Sequence, residues 1–213
     1  MLGPASHYDY TLLSYSLKTS IMAFKVKILD FNRIIRIMEF KTLENLAEAG
    51  FGGFVPVSKL KADGIHAPED SLAEADLGRS GVYMVVRTDD SEPVFVTEGS
   101  GGHFKGRNPN VPVGELQANW VKDTCVVYIG KAGGGSSRAT LRKRIGQYIR
   151  FGSGEPVGHW GGRYIWQLED ADNLLFCWRA TKEWEDAEEI ESELIENFKS
   201  RYDGHRPFAN LKD

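Results

Sequence analysis

Cysteine is nearly missing from this sequence. The 213 residues contain two, Cys125 and Cys177, each inside an apolar, strand-like run and neither in a CxxC or Cys/His ligand spacing. That excludes a disulfide framework and a zinc knuckle, and it predicts two packed free thiols in a reducing cytoplasm. Histidine is also sparse. The five present, His7, His66, His103, His159 and His205, show no HxxxH or HExxH spacing, which argues against a zinc site; His103 and His159 lie in glycine-rich loops and read as surface residues by default, or as substrate contacts. No apolar run reaches the roughly 18 residues of a membrane span, and the N-terminus lacks the basic start, apolar core and cleavage site of a secretory signal. A membrane partner is therefore not expected.

An overall positive charge is lacking as well. Lys and Arg total 26 against 30 Asp and Glu, for a net charge of −4, so contact with a polyanion has to come from local charge. Phosphate-cradling loops are absent too: the order Gly130-Lys131-Ala132-Gly133-Gly134-Gly135-Ser136-Ser137 is not a Walker loop, and Gly99-Ser100-Gly101-Gly102-His103-Phe104-Lys105-Gly106 does not fit the dinucleotide pattern. No organic cofactor is expected. Repeats and low-complexity tracts are likewise missing.

What remains is a chain with 41% hydrophobic and 11% aromatic residues, enough to bury a core. Residues 1–40 show no clear period until a short basic-apolar segment and read as a leader, disordered or preceding the true start. Residues 41–80 read as a helical extension, beginning with a short helix that stops at Gly50. Residues 81–213 carry the core. Gly81–Thr88 and Thr124–Ala132 are β-branched and aromatic runs, hence strands, as are "RYIWQL" (163–168) and "NLLFCWRAT" (173–181). An insert at about 89–123, rich in Gly, Pro and Asn, separates the first two strands; it holds a short strand at "PVFVT" and a brief helix at "VGELQANWV". Excursions of this length tend to be functional.

Charge is polarised along the core. Residues 124–163 carry Lys131, Arg138, Arg142, Lys143, Arg144, Arg150 and Arg163 against Glu155 alone. That concentration suits a phosphate backbone or, more plainly, a solvated basic helix. Leu141, Ile145, Tyr148 and Ile149 set the apolar stripe of that helix, with Arg144 beside Tyr148 at its margin. Such an arginine offers its fork to a phosphate, or a rim salt bridge to the acidic helix that follows.

In that acidic helix, "EDAEEIESELIENF" (185–198), one glutamate is out of place. Wound at about 100° per residue, Glu191 falls among Ala187, Leu194, Ile195 and Phe198 instead of on the charged face. A carboxylate there needs a partner. Either it pairs with Arg144 or Lys131, or it is an oxygen ligand for a Mg2+-like ion. Tyr83 and Tyr128, mid-strand, read as packing or as site residues; Lys131, at a strand end, is solvated or part of a site.

Five blocks then stand in order: "GVY" (81–83), "VYIGKA" (127–132), "LRKRIGQYI" (141–149), "EIESELI" (189–195) and "PFANLKD" (207–213). Together they resemble the GIY-YIG nuclease family, with UvrC-like catalytic motifs. The resemblance implies an α/β fold of the α+β type, with a small, mostly antiparallel central sheet flanked by helices. It implies a divalent-metal-dependent DNA endonuclease that uses one Mg2+ or Mn2+ ion. By the same resemblance, Tyr83 and Tyr128 organise or activate the attacking water, Arg144 stabilises the charged transition state with Tyr148 beside it, and Lys131 assists proton transfer or phosphate contact. Glu191 binds the metal and Asn210 braces the site. Arg142, Lys143, Arg150 and, from the insert, Lys105 and Arg107 are candidate DNA contacts. The alternative is a non-catalytic nucleic-acid-binding module on the same scaffold.

Overall fold

Apolar side chains on both faces of the central strands, and on one stripe of each long helix, dictate a sheet buried between helices. The computed structural model of the protein describes residues 34–68, 71–184 and 186–211. The chain up to Ile37 forms a unit by itself, in which residues 34–37 are a helical turn. Most of the expected leader lies outside the described residues. Met38 and Phe40, at its end, belong to the second unit, and both are buried there.

The second unit runs from Met38 onward. Helix α1 (Leu43–Glu48) starts at Thr42, whose side chain accepts a hydrogen bond from the Asn45 amide. Strand β1 (Gly52–Pro56) follows, then α2 (Val57–Asp63), α3 (Leu72–Asp76), β2 (Gly81–Val86), α4 (Val113–Asn119) and β3 (Val126–Ala132). Helix α5 (Leu141–Gly152), strand β4 (Leu175–Ala180) and helix α6 (Asp186–Arg201) complete the order. The sheet is β1-β4-β2-β3, and every neighbouring pair is antiparallel. This is the small antiparallel α+β architecture expected from the sequence. Among the described residues no helix is long and apolar enough to cross a membrane.

Three local expectations are corrected. Residues 41–80 supply an edge strand as well as helices, because β1 pairs with β4. That strand hides in "GFGGFVPV": Gly53 and Phe54 both take positive φ, which shifts the register as in a bulge, and a side chain at Gly53 would collide with the Trp178 ring. The run 163–168, expected as a strand, lies within a 3-10 segment, Trp160–Gln167. Tyr164, Ile165, Trp166 and Gln167 are all buried, so the run gives no polar alternation by which helix and strand can be told apart. The expected strand at 93–97 is reduced to one bridge, Phe95 to Leu168.

The insert is tied to the body through Gln167, which is 1% exposed. Its side-chain amide donates to the carbonyls of Val96, Val111 and Thr97 and accepts from the Val111 amide at 2.8 Å. Helix α5 is fastened by Leu141, Ile145 and Tyr148, all fully buried. Each aliphatic side chain of this kind contributes about 1.5–3 kcal/mol by leaving water. Thr140 caps the helix by accepting from the Lys143 amide. Its register aims Tyr148 at the sheet and leaves Arg144 half-buried at the margin.

Candidate active site

Strands β2 and β3 pair so that Tyr83 stands opposite Gly130, with Tyr128 two residues before that glycine. A methyl group at Gly130 would fall 2.7 Å from Tyr83 Cζ and 2.8 Å from Tyr128 Cε1. The missing side chain is what lets both rings fold over the strand. The Tyr83 and Tyr128 ring centroids are 6.0 Å apart, and Tyr148 packs edge-on at 5.2 Å from Tyr128. All three phenols are buried, and desolvation raises the pKa of each, that of Tyr128 to about 12. At neutral pH they are therefore hydrogen-bonding phenols rather than phenolates.

His159 lies in the same cluster. Its ring is stacked on Tyr148 at 3.8 Å with an interplanar angle of 6°, and its Nε2 shares a 3.0 Å hydrogen bond with the Tyr83 hydroxyl. It is 1% exposed, and burial holds its pKa well below the ordinary histidine value, with Arg144 adding to the effect. In sequence His159 reads as a loop-surface residue or a substrate contact, whereas the fold buries its ring. The motif "GHW" in a glycine-rich turn was the available signal, since His and Trp side by side there invite a packing role. The Tyr148 hydroxyl donates to the Gly162 carbonyl and so ties α5 to the same turn.

Glu191 does not pair with Arg144. Its Oε2 lies 3.0 Å from Lys131 Nζ, and the same ammonium is 2.9 Å from Glu188 Oε1. The Glu191 side chain is 19% exposed, so the helix turns it to a rim, short of the core. Desolvation raises its pKa, against the opposing pull of Lys131 and Arg144. For Lys131, desolvation favours the neutral form, but the hydrogen bonds to Glu188 and Glu191 outweigh it and its pKa is raised. It stands as an ammonium. Arg144 donates to Gln147 at 3.3 Å, and its charge reaches Tyr83, Tyr128, Tyr148 and Glu191.

Tyr128, Glu191 and Asn210 line one cleft of about 740 Å3, together with Arg107 of the insert. Of the other candidate DNA contacts, Lys105 and Lys143 are exposed. Arg142 bonds the Glu74 carboxylate at 2.6 Å and the Ile65 carbonyl, and Arg150 pairs with Glu155. Arg142 therefore anchors the 41–80 region, and neither it nor Arg150 lines the cleft. The cleft also gathers Trp160, Arg163 and Arg206, which lie outside the five sequence blocks.

Among the described residues, no group of three or more His, Cys, Asp and Glu side chains converges. A metal caged wholly by protein ligands has no seat there. A hard cation that takes one carboxylate and completes its shell with water and phosphate fits the donor set at Glu191. No family model matches the chain, and neither a curated protein nor a solved structure matches it.

Proposed function

We propose that this chain is a divalent-metal-dependent DNA endonuclease with GIY-YIG-like chemistry. One observation carries the reading: Tyr128, Glu191 and Asn210, from three separate blocks of the sequence, line a single cleft, with Lys131 bonded to Glu191. A module that only binds DNA gains nothing from a half-buried carboxylate facing a polyanion, because like charge there weakens binding.

In this reaction the oxygen of a water molecule bonds to phosphorus, the bond to the leaving sugar oxygen breaks, and the proton that the water loses passes to solvent. Glu191 would hold one Mg2+ or Mn2+ ion, which when bound polarises a phosphate oxygen. Arg144 shares the negative charge that grows on phosphorus, where a permanently charged fork is most effective. The Tyr128 phenol, protonated at neutral pH, orients the water by hydrogen bonding. Tyr83 lies beneath it, fixed by His159. Lys131, as an ammonium, supplies a proton to the leaving oxygen or a hydrogen bond to the phosphate.

The reading is tested by incubating the full chain with supercoiled plasmid and with short branched and single-stranded DNA, in Mg2+, in Mn2+ and in EDTA. Strand breaks that need the metal are expected. The same breaks in EDTA, or none with any substrate, would contradict it.

A further inference from the structure

Trp160, Arg163, Arg107 and Arg206 line the cleft beside Tyr128 and Glu191, and the hydrolytic chemistry above uses none of them. The four come from three separate places: Arg107 from the insert, Trp160 and Arg163 from the first half of the 3-10 segment, and Arg206 from the turn after α6. The guanidinium of Arg163 lies 4.8 Å from the centre of the Trp160 ring and 5.1 Å from that of Tyr164. Its Nε is buried without a hydrogen-bond partner, and desolvation lowers its pKa. A buried donor left unmet is costly to the protein alone and is relieved by an acceptor that enters the cleft.

The lining has three guanidinium groups to one carboxylate, so the charge favours a phosphate-bearing ligand. An indole beside those cations adds a face on which any base can stack. A cleft of about 740 Å3 falls in the range of roughly 300–1,000 Å3 that encloses one small ligand. A base-paired stretch needs more room than one small-ligand volume supplies. One nucleotide does not.

We propose that this cleft takes a single unstacked nucleotide next to the scissile phosphate, with its base on Trp160 and its phosphate on Arg163 and Arg107. The substrate class is then DNA with unpaired nucleotides at the cut site, in preference to intact duplex. This rests on reading the cleft as the nuclease centre.

The test uses the full chain and three fluorescein-labelled probes of one sequence: a single strand, the paired duplex, and a duplex with an unpaired bubble. Binding is read by anisotropy in EDTA, where no hydrolysis intervenes, and cleavage is read separately in Mg2+. Single strand and bubble should bind about tenfold or more tighter than duplex. Trp160→Leu and Arg163→Gln should each lose about tenfold on those two probes, while Trp160→Phe keeps the preference. Unchanged melting temperatures show that these variants fold. Equal or tighter binding of intact duplex, or single-strand affinity unmoved in Trp160→Leu, overturns the proposal. Binding with this pattern but no cleavage in Mg2+ upholds the subsite and sinks the nuclease reading. Cleavage of duplex as fast as bubble does the reverse.

Discussion

The side-chain amide of Asn210 pairs with the backbone of Ile129: its Oδ1 accepts from the Ile129 amide at 2.9 Å, and its Nδ2 donates to the Ile129 carbonyl at 2.8 Å. With the Ala209 amide donating to Val127 at 2.9 Å, the C-terminal segment closes the outer edge of β3, which the sheet leaves open. Tyr128 sits between the two bonded residues. Asn210→Asp keeps the size but removes the donor and sets a carboxylate against a carbonyl. It should cost about 1–3 kcal/mol, read as a lower urea midpoint, and it should slow cleavage. An unchanged midpoint would mean that the edge holds without this bond.

His159 predicts an acid limb in stability. Its folded pKa is depressed below 6.5, so below about pH 6.5 the unfolded chain takes up a proton that the folded chain does not. Stability is full above that pH and falls as pH drops towards the folded pKa, by up to about 1.4 kcal/mol per pH unit. Urea melts of wild type between about pH 7.5 and pH 5 should show this slope, and His159→Gln should flatten it. Equal slopes in both proteins would place the proton uptake elsewhere.

Gly130 is set between two tyrosines. Gly130→Ala forces the Tyr83 and Tyr128 rings to move, since the new methyl meets atoms of both rings at under 3 Å. A loss of about 1–3 kcal/mol is expected from thermal melting, with a larger fall in kcat than in substrate affinity. Wild-type melting and cleavage together would show that the rings are free to shift.

Arg144 should matter to rate and hardly to folding. It is half-buried, and its hydrogen bond to Gln147 is long, at 3.3 Å. Arg144→Ala should lower kcat by about a hundredfold to a thousandfold with little change in melting temperature. Arg144→Lys should recover part of it, because the charge remains while the fork is lost. Equal kcat for wild type and Arg144→Ala would remove the residue from the chemistry.

The sheet and its helices were legible wherever one period dominated. Leu141, Ile145, Tyr148 and Ile149 marked α5, and the apolar runs at 81–88, 124–132 and 173–181 contain β2, β3 and β4. Glu191 was legible as a misplaced acid, but its partner was not, because periodicity within one helix says nothing about which strand end faces it. Lys131 reaches it through the register of β3 against α6. The strand β1 and the run 163–168 escaped for opposite reasons: the first owes its shape to glycine backbone, and the second buries Tyr164, Ile165, Trp166 and Gln167 in succession. His159 escaped because a glycine-rich neighbourhood looks like an exposed loop, whereas here Gly162 lets the chain pass close over Tyr148.

The most direct measurement compares wild type with Glu191→Gln for DNA cleavage in Mg2+, with binding to the same DNA measured in EDTA. Gln is isosteric, and the carboxylate it replaces is unfavourably desolvated, so folding and binding should persist. Cleavage should fall by about a hundredfold or more, and added Mg2+ should not restore it. Cleavage by Glu191→Gln at the wild-type rate would contradict the assignment of Glu191 as the metal-binding carboxylate of a nuclease.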